Sequence, residues 1–261
     1  MLVQTCQRAL AMVFALAGCF TCCGVFGSDV WADLRIETTV QVGNDGSTSN
    51  NLTLFTNAGV YDYASDTTDL KPTGITFFNP SLATVTVLDP GRQKQLTLRI
   101  QQLDAMVREK LRVPSSGAPP WWMEMSRPMF QVNYDGLSQL LLQGELLHYR
   151  VTVQNAMSSA ISDRYREFAD IFAKLNGVLH FRPPQARIEL NTILSRYHLM
   201  PLQVDLEIHQ EKTQQSAVLK AGSIHEMKFE LTAKDRQMIR QVDQYQSTFQ
   251  QSSIDAFRLY R

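Results

Sequence analysis

The residues that come nearest to a chemical site lie on one strand-like segment near position 205. Asp205, Glu207 and His209 alternate with apolar residues, so a β-strand would place all three on one face. A hairpin would bring His225 and Glu226 opposite them. Imidazole and carboxylate groups in this arrangement could bind a transition metal or act as an acid–base pair. Their loose spacing is more typical of a solvated strand face, so we expect neither a metal site nor catalysis here.

The motifs of the common enzyme classes are absent from the sequence. It contains no GxSxG elbow, no GxxxxGK[ST] loop, no GxGxxG and no HExxH, which mark hydrolases, nucleotide-binding enzymes and zinc proteases. The 25 basic residues balance the 25 acidic ones. No overall field therefore favours nucleic acid or an anionic membrane surface. We predict a protein that is not an enzyme, holds no cofactor and does not bind nucleic acid.

Residues 121–130 have an unusual composition, with two of the three tryptophans and three of the ten methionines of the chain. Rigid indoles beside flexible thioethers form a surface that adapts to varied apolar ligands. The segment could fill the end of a sheet as core, cover a ligand as a lid, or bind copper(I) through Met123, Met125 and Met129. As a lid, its ligand-binding residues are Trp121, Trp122, Met123, Met125 and Phe130.

The elements that must position these residues are mainly short β-strands. Residues 33–42 alternate strictly between apolar and polar side chains, which predicts a strand with one solvated face. About ten such strands occur in two groups, each followed by helix, without the strand–helix alternation of a parallel sheet. A Pro/Ser/Gly linker at 113–120 divides the two groups. The pattern predicts an α+β fold: a curved, mainly antiparallel sheet, similar to half a barrel, with helices packed on one face.

Helical periodicity begins after each group of strands. It predicts a helix to about Arg112 and a long one that Ser158 or Ser159 caps and Gly177 ends. A further helix opens at Pro183-Pro184 and ends before Met200-Pro201, and Thr232 with Asp235 predicts a capped terminal helix.

The first 32 residues have the pattern of a secretory signal. Arg8 precedes the apolar run 9–27, and Val30-Trp31-Ala32 suits cleavage after Ala32. Leu16-Ala-Gly-Cys19 resembles a bacterial lipobox, which would instead anchor the protein to a membrane by lipid at Cys19. An uncleaved anchor is the third alternative, because the run approaches the roughly 20 residues that span a bilayer. We expect soluble export to the periplasm or the cell exterior, with 33–261 as a single domain.

At the level of pattern, the mature chain resembles an uncharacterised family of exported bacterial proteins, of planctomycete type, that begin Ala-Asp-Leu-Arg-Ile-Glu-Thr after the signal. Here that motif is residues 32–38, and family-like stretches follow at 87–92, 165–168, 187–191 and 200–204. The resemblance spans most of residues 32–250 and supports cleavage after Ala32, but it brings no known activity. More distantly, the order of elements is similar to the half-barrel of the periplasmic lipoprotein-carrier family, which holds acyl chains between a curved sheet and its helices.

Two functional hypotheses follow. The first is an exported, non-enzymatic protein that binds a lipid or lipoprotein acyl chain in the concave face of its sheet, which requires a real cavity. The alternative is a structural or protein-interaction module of the cell envelope without a small-molecule ligand. It predicts a filled interior and an exposed apolar patch that another envelope protein covers.

Overall fold

The computed structural model describes residues 33–43, 47–66, 71–111, 117–209 and 217–258. These residues belong to one compact unit. The predicted signal peptide, lipobox and cleavage site lie outside the described residues. None of the helices within these ranges is both long and apolar enough to cross a membrane.

Twelve strands and six helices make up the described part of the chain. The strands are β1 (Leu34–Val42), β2 (Ser47–Thr56), β3 (Gly59–Asp66), β4 (Gly74–Asn79), β5 (Thr84–Asp89), β6 (Lys94–Arg99), β7 (Gln131–Tyr134), β8 (Gln139–Gln143), β9 (Leu147–Asn155), β10 (Leu199–His209), β11 (Ala217–Lys228) and β12 (Gln250–Gln251). The helices are α1 (Ile100–Lys110), α2 (Pro120–Ser126), α3 (Ser159–His180), α4 (Gln185–Arg196), α5 (Ala233–Thr248) and α6 (Ile254–Arg258).

All twelve strands form one open sheet in the order β12-β6-β5-β4-β3-β2-β1-β11-β10-β9-β8-β7. Every pairing is antiparallel except that of β12 with β6. The first strand pairs with β11, which places Thr38 beside His225 and joins the two sequence halves at the middle of the sheet. The predicted α+β fold with a mainly antiparallel, curved sheet is confirmed.

The inner face of the sheet, defined here as the face that α1, α3 and α4 cover, carries two separate apolar clusters. The first cluster joins β1–β6 to α1, α3 and α6, with Phe55 and Phe168 in edge-to-face contact. The second cluster joins β8–β10 to α4, with Leu190 and Val151 fully buried. Burial of these side chains supplies most of the driving force that holds the helices on the sheet.

Helix α5 lies on the opposite, outer face rather than beside the other helices. Leu54 and Phe55 are consecutive on β2 and therefore point to opposite faces. Phe55 belongs to the first cluster, whereas Leu54 packs with Val242 of α5 in a third cluster. Strands β2–β5 are thus covered by apolar contacts on both faces.

Asp235 joins α5 to the sheet, and its replacement by alanine should destabilise the protein by about 2 kcal/mol. Its carboxylate accepts hydrogen bonds of 2.8 Å from both the amide and the hydroxyl of Thr232, and its Oδ2 lies 3.3 Å from Arg35 Nε. Urea unfolding measures the loss. Asp243→Ala, an exposed site on the same helix, is the control and should change stability by less than about 0.5 kcal/mol. Equal losses in both variants would contradict the prediction.

Gly177 does not end α3 as the sequence predicted, because the helix continues to His180 and ends at Phe181 in a left-handed conformation (φ 52°). A Cβ at Gly177 would lie 2.6 Å from the carbonyl oxygen of Arg182 and 3.2 Å from Leu111 Cδ1. The glycine therefore serves close packing inside the helix and not its termination. Pro201 lies within β10. A register shift between Pro201 and Gln203 accommodates the proline in the strand.

Candidate functional site

A polar strip separates the two apolar clusters of the inner face. His225 of β11 lies beside Thr38 of β1 at the centre of the sheet. Its Nδ1 is 2.9 Å from Thr38 Oγ1 and its Nε2 is 3.0 Å from Ser223 Oγ. Both hydroxyls can donate or accept, so either neutral tautomer is satisfied. Burial, with a smaller contribution from Arg187, lowers the pKa of His225 to about 4, and the imidazole is neutral at pH 7. We call Thr38, Ser223 and His225, with Tyr165 and Arg187 above them, the seam.

Arg187 of α4 is the cation of the seam. Its Nη2 lies 3.4 Å from the hydroxyl of Tyr165, which belongs to α3 and the first cluster. Burial raises the pKa of Tyr165 and of Tyr149, while the charge of Arg187 opposes both shifts. Tyr149 belongs to the second cluster. Arg187 therefore lies where the two clusters approach each other, and it is only partly accessible to solvent.

A second polar group on the inner face surrounds Asp62 of β3. Its carboxylate accepts hydrogen bonds from Thr53 Oγ1 (2.7 Å) and Asn51 Nδ2 (2.9 Å). Burial raises the pKa of Asp62 to about 6, although both hydrogen bonds act against the shift. Asn51 pairs with Thr38 across β1 and β2, so this group continues the seam across the sheet.

Helix α2 contains four of the five predicted lid residues and contacts both inner clusters. Trp122 packs against the first cluster, whereas Trp121, Met125 and Phe130 pack against the second. None of the helix residues is fully buried, and Met123 is 38% exposed. The indole Nε1 of Trp122 is buried and has no hydrogen-bond acceptor within the described residues. The segment 121–130 thus packs against both clusters while part of it stays exposed to solvent.

One carboxylate ties α2 to the sheet. Glu124 accepts hydrogen bonds from the amides of Glu145 (2.7 Å), Leu146 (2.7 Å) and Leu147 (3.3 Å) in the β8–β9 turn. The turn has glycine at position 144 because a Cβ there would collide with Glu124 Oε1. Sequence reasoning missed Glu124, although an acid inside an apolar segment was a signal.

The predicted set Asp205, Glu207 and His209 does gather in one place, on the outer face. Together with His148 and Arg150 these residues line a cleft of about 260 Å³. The prediction that His225 lies opposite them is wrong, because residues that pair directly in a sheet share a face and His225 pairs with Thr38 of the inner face.

The outer cleft is not arranged as a metal centre. Glu207 accepts a hydrogen bond of 2.9 Å from Lys220, which lowers the pKa of Glu207. The rings of His148 and His209 are 5.2 Å apart and edge-on. Across the described ranges, no three or more His, Cys, Asp or Glu side chains are placed to hold a metal ion. The alternative copper site finds no support either, since Met125 packs in the second cluster while Met129 is 87% exposed.

Comparisons with known proteins assign no family. No protein-family model matches the chain, and no curated protein matches it. Among solved structures, a DnaN sliding clamp of Bartonella birtlesii bound to griselimycin is 9% identical over 77% of this chain, with a TM-score of 0.11. This chain spans 59% of the clamp chain. A score this low carries no inference about fold or function.

Proposed function

We propose that this chain is an exported, non-enzymatic protein that binds an amphipathic ligand on the inner face of its sheet, beneath α2. The observation that carries the proposal is the position of α2 across the two inner clusters, with Trp122 against one and Trp121 against the other. Displacing this helix would expose apolar surface on both sides of a polar seam. Such a surface matches a molecule with an apolar chain and a polar end.

The attachment of α2 supports its role as a lid. The helix is seven residues long, and its N-terminus has no side-chain cap. A helix this short has little stability of its own. Three hydrogen bonds to Glu124 and incompletely buried aromatic contacts hold it in place. Such a segment opens at a low free-energy cost relative to the core.

Under this proposal α2 is closed over the inner face. Clefts of about 260 and 270 Å³ lie on the outer face and between α1, α3 and β4. Both are smaller than the roughly 300–1,000 Å³ of typical ligand pockets, and α2 lines neither. Apolar side chains of both clusters pack against α2, so the proposed route of entry for a ligand is the displacement of this helix. The required cavity is thus proposed to form on opening.

Replacing Glu124 with alanine should raise the affinity for palmitate by about tenfold. Removal of the hydrogen bonds that hold α2 closed increases the fraction of open protein, and apparent affinity rises with that fraction. Tryptophan fluorescence follows the titration, because two of the three tryptophans are in α2. Glu109→Ala, an exposed carboxylate on α1, is the matched control and should leave affinity unchanged. Unchanged or weaker binding in Glu124→Ala would contradict the lid.

The ligand is best identified by native mass spectrometry of the protein purified from its own envelope fraction, followed by organic extraction. The intact mass also distinguishes a chain that begins at Asp33 from one lipidated at Cys19. A stoichiometric lipid that Trp121→Ala and Trp122→Ala variants lose would support the proposal. A ligand-free mass without uptake of added palmitate would overturn it.

The exposed apolar residues near β7 favour a second candidate, a protein-interaction module of the envelope. This strand is the last in the described sheet, so its outer edge could pair with a strand of another protein. Met129 and Leu137 beside it are 87% and 79% exposed. This candidate replaces the first if the mass spectrum shows no ligand.

A further inference from the structure

The cleft on the outer face is lined by groups of opposite charge that do not pair with each other. Arg150 of β9 and Asp205 of β10 are direct partners across the two strands, so their side chains share a face at a spacing where opposite charges attract. Asp205 nevertheless accepts a hydrogen bond of 2.9 Å from Gln203, and its Oδ1 is turned towards Gly222 of β11. No carboxylate of the described residues forms an ion pair with Arg150. A cation and an anion thus line one cleft side by side.

A second set of polar groups lines the same cleft two residues further along the strands, a distance of about 7 Å. Glu207 and His148 are partners there, and His209 follows on β10. His209 is 7% exposed, and its Nδ1 is buried without a hydrogen-bond partner. Its Nε2 lies 3.9 Å from Glu207 Oε2, which is too far for a hydrogen bond. This imidazole therefore borders the cleft with neither nitrogen hydrogen-bonded to a described residue, which is unfavourable for a buried polar group.

We propose that the outer cleft binds a small zwitterion whose side chain ends in an amide, as in glutamine. The α-carboxylate would accept paired hydrogen bonds from the guanidinium of Arg150, and the ammonium would donate to Asp205. At the other end, the amide would accept a hydrogen bond from His209 Nε2 and donate one to Glu207 Oε2, because an amide carries both functions. Leu141, the partner of Arg150 on β8, would contact the methylene groups.

Size and charge favour this ligand over a larger or more acidic one. The cleft measures about 260 Å³, less than the roughly 300–1,000 Å³ of pockets for drug-sized ligands. A carboxylate in place of the amide would face Glu207 with like charge. Lys220 lies 2.9 Å from Glu207 Oε1, so Oε2 is the oxygen left to face the ligand. The cleft lies on the face opposite α2, and the inference does not depend on the function proposed above.

Titration calorimetry at pH 7 compares glutamine with 4-aminobutanamide, which lacks the carboxylate, and with norvaline, which lacks the amide. Wild-type protein should bind glutamine about tenfold more tightly than either analogue, because each analogue omits a hydrogen-bonded contact. Arg150→Gln should weaken glutamine binding about tenfold and leave 4-aminobutanamide unchanged. His209→Phe should weaken glutamine binding to the level of norvaline and leave norvaline unchanged. Arg196→Gln, an exposed site on α4, is the control and should behave as wild type.

Thermal unfolding of the ligand-free proteins separates binding from structure. His209→Phe keeps a ring of similar size and removes two nitrogens without hydrogen bonds, so it should unfold at the temperature of the wild type or higher. A clearly lower temperature would show that the imidazole supports the fold and would overturn its role in binding. Unchanged glutamine binding in Arg150→Gln would overturn the carboxylate assignment. Failure of the wild type to bind glutamine at millimolar concentration would overturn the site, whereas the proposed binding of palmitate on the inner face would be unaffected.

Discussion

Replacing His225 with glutamine should make the stability of the protein fall by about 3 kcal/mol, relative to wild type, as the pH rises from 4 to 6. Replacing Asp62 with asparagine should have the opposite effect: stability should rise over the same pH range. Burial raises the pKa of Asp62 from 3.8 to about 6 and lowers that of His225 from 6.5 to about 4. Each of these changes in pKa corresponds to about 3 kcal/mol of stability.

The signs follow from proton linkage. The folded-state pKa of Asp62 is raised, so its contribution is fully present below pH 3.8 and is lost as the pH rises through about 6. The folded-state pKa of His225 is depressed, so its contribution is fully present above pH 6.5 and is lost as the pH falls through about 4. Between pH 4 and 6 the two contributions nearly cancel in the wild type. Each single substitution removes one contribution, so the pH dependence of the other group becomes measurable.

Urea unfolding at pH 4, 5, 6 and 7, followed by far-UV circular dichroism, measures these slopes. The double variant Asp62→Asn/His225→Gln should regain the pH profile of the wild type, although its absolute stability will differ. His198→Gln, an exposed histidine, is the matched control. If both single variants keep the wild-type profile, the two groups are not buried in the ionisation states assigned to them.

Replacing Gly59 with alanine should destabilise the protein by about 3 kcal/mol, or prevent folding. Gly59 begins β3 with φ of 153°, which L-residues rarely adopt. A Cβ there would collide with the carbonyl oxygen of Phe78 and lie 2.8 Å from Phe77 Cε2. The backbone of β4 cannot move away without breaking its pairing with β3.

Gly136→Ala is the matched control for this prediction. Gly136 also has a positive φ, 79°, but a Cβ there would meet nothing within 4 Å. Only backbone strain remains, and it should cost about 1 kcal/mol. Urea unfolding of the two variants separates steric collision from strain. Equal losses of stability in the two variants would contradict the prediction, because they would mean that the backbone at Phe78 moves away from the new Cβ at no cost.

Much of the fold could be predicted from local patterns. The alternation over 33–42 corresponds to β1 (Leu34–Val42), the Thr232–Asp235 capping box begins α5, and Ser158 caps α3. These features depend on neighbours a few residues away, so the sequence displays them directly. The unusual composition of residues 121–130, which include Trp121, Trp122 and Met125, is likewise visible in the sequence alone.

The site itself depends on contacts between distant residues. His225 and Thr38 are 187 positions apart, and only the pairing of β1 with β11 places them together on the inner face. The environment of Arg187 likewise arises where α3 and α4 pack on the sheet, and Asp62 is distinctive only because it is buried. Periodicity therefore determined the strands and most helices of this protein. Tertiary structure decided which strands meet and which polar groups are removed from water, because burial depends on long-range packing.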